Sequence, residues 1–184
     1  MSTTPSTAQP ATRTWTIDPV HSFVEFSIKH MKIATVRGRF ADISGTLVLN
    51  EQDIANSSIE VDIDAASIDT HNENRDRHLR SPDFFDVARY PTLHFRSTRI
   101  TQTFDDIMLV GDLTIHGVTQ QILFAVYFNG EAINPDGRRV VSYSATTSLN
   151  RKDFGLNWNA AVESGGLLVG EDVKVTIEIE AVSS

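Results

Sequence analysis

The chain has 184 residues, of which 40% are hydrophobic, and it carries a formal net charge of −8. Its length and composition fit one domain with a substantial core, and the acidic balance argues against nucleic acid as a partner, because phosphate contacts need clustered Lys and Arg. The chain contains no cysteine, which excludes disulfides and thiolate metal sites.

Residues 1–13 are rich in Ser, Thr, Pro and Ala, and we predict that they form a disordered tail before a domain at residues 14–184. The tail lacks the positive start and apolar core of a secretion signal. No run of apolar residues is long enough to span a bilayer. A cytoplasmic location is therefore expected.

From residue 15 onward, apolar and polar residues alternate in short segments, which is typical of β-strands. Residues 38–49 are predicted as one strand in which Gly45 forms a bulge or a barrel corner. The faces predicted to point inward carry mainly aliphatic and aromatic side chains. In chain order these are Val24, Phe26, Ile28, His30, Ile59, Val61, Ile63, Phe95, Leu113, Phe124 and Val126.

The segment from residue 121 to residue 129 is apolar on both faces. Phe128 is assigned to the inward face, and Leu123 and Tyr127 to the outward face. A strand that is apolar on both sides needs a cover, so we predict that Leu123 and Tyr127 lie under a helix or in a homodimer interface.

About eight such segments, separated by turn signals and with almost no helical periodicity, predict an all-β antiparallel barrel or sandwich. A barrel of this size either is filled by side chains or holds one small ligand. The apolar interior suits an apolar ligand and suits a packed core equally well. Periodicity does not distinguish these two structures.

The densest run of charge, residues 75–86, lies between strand-like segments. Within it, Ser81-Pro82-Asp83 reads as a helix start, and Phe84-Phe85 follows in a short helical turn. This arrangement suggests a short helical segment that forms a lid over one mouth of a hollow barrel. The alternative is a surface connection in which Arg and Asp pair for packing. Five polar residues would position the lid: Arg75, Asp76, His78, Ser81 and Asp83.

Candidate chemistry is limited. The spacing of the six histidines matches none of the usual metal-ligand pairs, so no metal site is expected. Ser, His and Asp residues that a hydrolase needs are present, but no Gly-x-Ser-x-Gly nucleophile elbow is found. The segment 150–158 is predicted as a loop in which Trp158 either plugs a barrel mouth or contacts a ligand.

Several spaced motifs resemble the YceI-like family. They are the opening stretch Trp15–His30, the signature Arg75–Asp86 followed by Tyr90-Pro91, and the stretches Gly111–Thr119 and Asp153–Leu156. The resemblance covers residues 14–181. It implies a lipocalin-like antiparallel barrel that holds a long isoprenoid chain or another lipid in an elongated apolar pore. Related members include periplasmic and dimeric proteins.

On this basis we expect a non-enzymatic lipid-binding protein without a cofactor, in which the inward residues named above, together with Phe84, Phe85 and Trp158, contact the ligand. A homodimer is a possible partner state. Two alternatives stay open at this point. One is a small enzyme that acts on a prenyl lipid or quinone through His78 and Asp76, and the other is a structural protein whose cavity is vestigial.

Overall fold

A ring of antiparallel strands forms the framework of the protein. The structure is a computed structural model that describes residues 12–163 and 165–184. Within these ranges it contains eleven strands and one α-helix, α1 (Glu73–Arg80). The strands are β1 (Thr12–Ile17), β2 (Phe23–His30), β3 (Ala34–Phe40), β4 (Ile43–Asn50), β5 (Ser58–Asp64), β6 (Ile68–Asp69), β7 (Thr92–Thr103), β8 (Asp106–Ile115), β9 (Val118–Ile133), β10 (Arg139–Asn150) and β11 (Val169–Ser183).

The barrel closes because β11 pairs with both β10 and β1. The strand order is β1-β4-β5-β7-β8-β9-β10-β11, and the pairing of β1 with β11 completes the ring of eight. Trp15 lies opposite Ser183, while Val24 lies opposite Ile177 farther along β11. On their other edges, β2 pairs with β3 and β1 pairs with β4. The predicted all-β antiparallel barrel is therefore confirmed.

Alternation along the strands separates the interior from the surface. In β5, Val61 and Ile63 are buried, whereas Glu60 and Asp62 between and beside them are exposed. Each strand places successive side chains on opposite faces, so one face of every strand contributes to a common apolar interior. Short 3₁₀ helices at Ile54–Asn56, Ala65–Ser67 and Arg151–Phe154 connect some of the strands.

The predicted strand at residues 38–49 is in fact two strands. Ala41 and Asp42 leave the ladder, and their N–H groups donate to the backbone oxygen and the hydroxyl of Ser67. Gly45 is paired in register opposite Val61, so the predicted bulge is wrong. A Cβ at this position would lie 2.3 Å from the carbonyl oxygen of Glu60. Gly45 therefore permits a close approach of two backbones.

The predicted helix start at residues 81–83 is wrong, because the helix ends there. α1 begins after Asn72, whose side chain accepts a hydrogen bond from the Arg75 N–H. Ser81 is the C-terminal cap, and both its N–H and its hydroxyl donate to the His78 carbonyl oxygen. Pro82 then prevents continuation of the helix. Phe84 and Phe85 lie in the turn that follows, not within a helix.

The predicted boundary between tail and domain falls inside β1. Thr12 pairs with Asn50 and Arg13 with Leu49, so these two residues belong to the barrel. Residues 1–11 of the predicted tail lie outside the described residues. In the part of the chain that is described, no helical segment has the length and apolar character needed to cross a membrane.

The outer face of β9 is open in the single chain. Leu123 and Tyr127 are 51% and 50% exposed, so no helix formed by residues 12–163 or 165–184 covers them. Phe128 is also half exposed, although it was expected inside the barrel. The pairing of β8 with β9 ends at Val126. No residue of β8 therefore lies opposite Phe128. A homodimer interface at Leu123 and Tyr127 remains a prediction.

Candidate ligand-binding cavity

The barrel encloses a cavity of about 590 Å³. Leu49, Ile54 and Ser58 line it near one end of the barrel, and His30 and Trp158 line it near the other end. We call the second end the α1 end, because α1 and the segment that follows it cover it. The volume lies within the range of small-molecule sites in proteins. The wall residues therefore extend from one end of the barrel to the other.

All fourteen side chains predicted to contact a lipid lie on the cavity wall. Three of them, Phe84, Phe85 and Trp158, come from the segments that cover the α1 end. The other eleven are on the barrel strands, namely Val24, Phe26, Ile28, His30, Ile59, Val61, Ile63, Phe95, Leu113, Phe124 and Val126. Their contact with a lipid remains a prediction.

A cluster of aromatic rings lies at the α1 end of the cavity. The centroid of the His78 ring lies 4.6 Å from the ring centroid of Trp158 and 5.1 Å from that of Phe84. Both pairs are T-shaped. Phe84 and Trp158 are 5.3 Å apart. We call these three residues the aromatic cluster. Deeper in the barrel, Phe85 packs edge-on against Phe40 at 5.7 Å. The α1 end is therefore covered by rings that also line the cavity.

Arg80 fixes α1 to the barrel. Its Nε donates to the Ala66 oxygen at 2.8 Å, and its Nη2 donates to the Ile68 oxygen at 2.9 Å. Ile68 in turn pairs with Phe40 of β3. The helix is thus held against the short strand β6 at this end of the barrel. Its role as a lid remains a prediction.

Arg75 also lines the cavity, and its hydrogen bonds go to Thr70 and not to an Asp of the charged run. Its Nε donates to the Thr70 hydroxyl at 2.7 Å, and its Nη2 donates to the Thr70 carbonyl oxygen at 2.9 Å. The same hydroxyl donates to the buried Asp76 carboxylate at 2.5 Å. The Thr70 N–H also donates to Asp76, at 2.9 Å. Asp76 therefore positions Arg75 through Thr70.

His78 and Asp76, the pair considered for catalysis, have different partners. The His78 Nε2 is hydrogen-bonded to the Asp83 carboxylate at 2.7 Å, at a partly exposed position. Asp76 is engaged by Thr70. The Ser81 hydroxyl donates to the backbone oxygen of His78 and not to its ring. Among the described residues, His78 and Asp76 are therefore hydrogen-bonded to other groups and not to each other.

Arg151 is the wall residue with the least usual environment. Only 4% of it is exposed, yet it carries a charge. Its Nε donates to the Gly170 oxygen at 2.7 Å, and its Nη1 donates to the Leu156 oxygen at 2.5 Å. Among the described side chains, its Nη2 is one of two buried nitrogens without a hydrogen-bond partner. Burial lowers the pKa of the Arg151 guanidinium below its usual range.

Sequence reasoning missed Arg151 and several other wall residues. Tyr143, Thr70, Asn74 and Lys29 also line the cavity. Tyr143 is polar in a barrel strand, and burial raises the pKa of its hydroxyl. Arg151 directly follows an alternating strand. A basic residue that directly follows a strand with an apolar inward face is the feature of the sequence that could have predicted its position.

One group of potential metal ligands lies outside the cavity, within residues 12–163 and 165–184. Atoms of Asp18, His21 and Glu180 are within 4.8 Å of one another. His21 Nδ1 is hydrogen-bonded to Asp18 at 2.8 Å, and Glu180 lies 3.5 Å from the same nitrogen. The interaction of one histidine with two carboxylates explains why these three side chains lie close together.

A closed antiparallel ring of eight strands around an apolar cavity defines a class of protein, the small closed β-barrels. Within this class the chain belongs to the YceI-like family. The family model, described as the YceI-like domain, matches residues 15–181. The family assigned from the sequence motifs is thereby confirmed.

Relatives of similar length occur in bacteria. A UPF0312 protein of Staphylococcus aureus strain N315 is 37% identical over 167 residues, which is 90% of this chain and 95% of the relative. The crystal structure of a Campylobacter jejuni YCEI protein has a TM-score of 0.71 at 29% identity. That match covers 85% of this chain and 90% of the solved chain.

Two more distant structures share the fold. Burkholderia cenocepacia BcnA has a TM-score of 0.78 at 20% identity, with coverage of 89% of this chain and 98% of its own. A polyisoprenoid binding domain from Saccharophagus degradans has a TM-score of 0.67 at 17% identity, with coverage of 92% and 98%. At these identities the similarity concerns the fold.

Proposed function

We propose that this protein binds one long-chain lipid, of the isoprenoid or a similar kind, in the barrel cavity and leaves it chemically unchanged. The observation that carries this proposal is a wall that is apolar along the barrel, from Leu49 at one end to Phe84 at the other. The structural similarity to a polyisoprenoid binding domain of Saccharophagus degradans supports the same class of ligand.

The energetic basis is the exclusion of water from the chain of the ligand. Each buried CH₂ group contributes about 0.8 kcal/mol, so the affinity should increase with chain length until the cavity is full. An elongated apolar wall suits a linear chain better than a compact ring system. Storage, transport or sequestration of such a lipid are the roles that follow.

A binding role is favoured over catalysis because the polar residues near the mouth are held in structural interactions. Asp76 accepts hydrogen bonds from Thr70, and Ser81 caps α1. Neither arrangement activates a nucleophile. The cytoplasmic location and the homodimer remain predictions of this proposal, to be tested by cell fractionation and by sedimentation.

The proposal is tested first on the protein as purified without detergent. Denaturing extraction and mass spectrometry should release a long-chain lipid from the expression host. After delipidation, addition of farnesol or geranylgeraniol should raise the melting temperature, and the longer alcohol should raise it more. Lipid-free preparations that also show no shift with either alcohol would refute the proposal.

A further inference from the structure

Three large apolar side chains are exposed at the α1 end, beside the mouth of the cavity. Met31 and Ile33 are 40% and 79% exposed in the turn between β2 and β3, and Leu167, shortly before β11, is 43% exposed. The Met31 N–H donates to the Leu168 carbonyl oxygen at 2.9 Å, so the turn and the segment before β11 lie side by side. We call Met31, Ile33 and Leu167 the apolar ridge.

The apolar ridge is continuous with the cavity wall. His30, which precedes Met31, and Leu168, which follows Leu167, both line the cavity. His30 pairs with Val169 of β11, which is another wall residue. The exposed residues and the wall residues are therefore direct neighbours on the same two backbone segments, and the ridge forms one rim of the mouth.

The turn between β2 and β3 has an unusual backbone for its sequence. The Ile33 N–H donates to the His30 carbonyl oxygen at 3.2 Å, and the residues between them, Met31 and Lys32, have φ angles of 50° and 64°. Turns with positive φ at both central positions favour Gly and Asn, because other residues are strained there. Strained conformations of this kind cluster at functional sites. Here they present an apolar and a basic side chain at the tip of the hairpin.

The hairpin that carries this turn is basic. Residues 26–40 contain four Lys and Arg residues and none of the 24 acidic residues of the chain. Lys29, Lys32 and Arg37 are exposed. The Lys29 Nζ donates to the Thr35 hydroxyl at 3.0 Å, on the outer face of the hairpin. Positive charge therefore lies beside the apolar ridge, in a chain whose net charge is −8.

Several acidic residues of the neighbouring segments have basic partners. The pairs are Asp69 with Arg39 at 3.7 Å, Glu73 with Arg77 at 3.4 Å, Asp83 with His78 at 2.7 Å and Glu171 with Lys152 at 2.5 Å. Glu163 and Asp172 are exposed, before β11 and on β11. The hairpin remains the part of this end in which basic residues are grouped without acidic ones.

We propose that the α1 end docks on the surface of a lipid bilayer that contains anionic lipids. The apolar ridge enters the head-group region, and Lys29, Lys32 and Arg37 lie against the phosphates. Binding at a membrane interface combines buried apolar area with basic residues in this way. The mouth then faces the bilayer, and a lipid chain passes between membrane and cavity without crossing water. This last step rests on the proposed function, whereas docking itself does not.

Charge decides between a bilayer and a second copy of the chain. An isologous dimer through the apolar ridge would place the basic hairpins of both copies close together. Their like charges would oppose association. An anionic bilayer attracts the hairpin, while the net charge of −8 opposes the approach of the rest of the surface. The molecule is therefore oriented with its mouth toward the membrane.

The test is co-sedimentation of the full chain with sucrose-loaded vesicles. Vesicles of phosphatidylcholine alone are compared with vesicles of equal parts phosphatidylcholine and phosphatidylglycerol. Each basic residue near an anionic surface contributes about fivefold in affinity, so we expect the mixed vesicles to bind at least about tenfold more tightly. Raising the salt to about 1 M, where the Debye length is about 3 Å, should remove most of this difference.

Ile33→Asp should weaken binding to the mixed vesicles by more than about tenfold, because it removes an inserted aliphatic side chain and adds a negative charge. The matched control is Phe104→Asp, since Phe104 is 93% exposed in the turn between β7 and β8, at the opposite end. It should bind like the wild type.

Lys32→Gln should weaken binding to the mixed vesicles about fivefold. Its control is Arg138→Gln, which removes an exposed cation next to β10 at the opposite end and should have no effect. Val61→Trp, with its cavity filled, should bind the mixed vesicles like the wild type and so separates docking from uptake of a lipid.

The outcomes have distinct meanings. Wild-type protein that stays in the supernatant with both kinds of vesicle overturns the inference and leaves the proposed function intact. Equal binding to both kinds, or full binding by Ile33→Asp, also overturns it. So does a wild-type dimer that binds no vesicles and that Ile33→Asp converts to a monomer, because the ridge is then an interface between copies. If the mixed vesicles bind but no prenyl alcohol does, docking stands and the proposed function fails.

Discussion

The Thr70 hydroxyl accepts a hydrogen bond from Arg75 Nε at 2.7 Å, and it donates one to the Asp76 carboxylate. Thr70 directly follows β6, while Arg75 and Asp76 are in the first half of α1. One side chain therefore connects the barrel wall to the lid helix and orients a basic residue toward the cavity.

Thr70→Val should destabilise the protein and loosen the lid. The substitution removes the hydroxyl at nearly constant volume, so the buried Asp76 keeps only one of its two hydrogen bonds from Thr70 and Arg75 loses one. A buried polar group that loses a partner costs about 1–3 kcal/mol. We expect a loss of this size in the free energy of unfolding, measured in urea, together with faster exchange of bound lipid.

Arg75→Ala should have a smaller effect on stability than Thr70→Val and should also speed lipid exchange. His78→Ala is expected to do less to stability than either, because its partner Asp83 is partly exposed and can be hydrated. A His78→Ala protein with normal stability that loses a measurable turnover of a prenyl substrate would instead support an enzyme.

The strand faces could be predicted from the sequence because alternation is a local property of the backbone. Val61 and Phe124 were placed inward from their neighbours alone, and both lie on the cavity wall. The break at Ala41–Asp42 could not be predicted in this way. It depends on hydrogen bonds to Ser67, which is distant in sequence.

The polar part of the site was harder to predict. Ser81-Pro82 satisfies the signals for both ends of a helix, and only the position of Asn72 as the N-terminal cap decides between them. Arg75 donates to the hydroxyl and the carbonyl oxygen of Thr70 and not to a carboxylate, because folding brings the end of β6 against α1. Arg151 depends in part on the carbonyl oxygen of Gly170 in β11, nineteen residues farther along the chain. Hydrogen bonds of this kind depend on tertiary contacts, so the periodicity of the sequence does not predict them.

Val61→Trp should block ligand binding while the lipid-free protein remains folded. Val61 lines the cavity, so the added volume can occupy existing space. We expect the melting temperature of the delipidated variant to stay near that of the wild type, and geranylgeraniol should no longer raise it.

Val141→Trp is the matched control for the filled cavity. Val141 is 4% exposed and belongs to the packed core, but it is not on the cavity wall. Overpacking at such a site typically costs about 1–3 kcal/mol. If Val61→Trp is as destabilising as Val141→Trp, then the barrel interior is a solid core and the proposed cavity is wrong.

The contact of His21 with Asp18 should make stability depend on pH. The hydrogen bond to Asp18 and the charge of Glu180 raise the pKa of His21 above 6.5, and the same hydrogen bond lowers the pKa of Asp18 below 3.8. The stabilisation from His21 is fully present below pH 6.5 and is lost as the pH rises through the raised pKa. The contribution of Asp18 is lost as the pH falls below 3.8.

The free energy of unfolding of His21→Gln should therefore fall below that of the wild type at pH 5, and the difference should vanish by about pH 9. Urea titrations of both proteins at the two pH values measure this difference. A His21→Gln difference that is the same at both pH values would contradict the assignment.

Leu123→Arg should dissociate a homodimer if β9 forms its interface. Leu123 and Tyr127 are half exposed on the same face of β9, and an apolar stripe of this kind is unusual on a soluble surface. We expect the wild-type protein to sediment as a dimer at micromolar concentration and the variant as a monomer. Phe104→Arg, at an exposed turn, should leave the dimer intact. A wild-type monomer would refute the interface.

Trp158 should control the rate at which lipid enters and leaves. Its ring packs against both His78 and Phe84, the other two members of the aromatic cluster at the α1 end. Trp158→Ala removes the contacts to both rings, each worth about 0.5–1.5 kcal/mol. We therefore expect lipid transfer to acceptor vesicles, followed by stopped-flow fluorescence, to become several-fold faster than in the wild type.

Trp158→Phe keeps a ring at this position and should transfer lipid at nearly the wild-type rate. The same variant also tests where the ligand lies. The chain has two Trp residues, and the other, Trp15, is 1% exposed and does not line the cavity. A ligand-induced change in tryptophan fluorescence should therefore disappear in Trp158→Phe. If that change persists, or if Trp158→Ala transfers lipid at the wild-type rate, the ligand enters by another route and the aromatic cluster is not its gate.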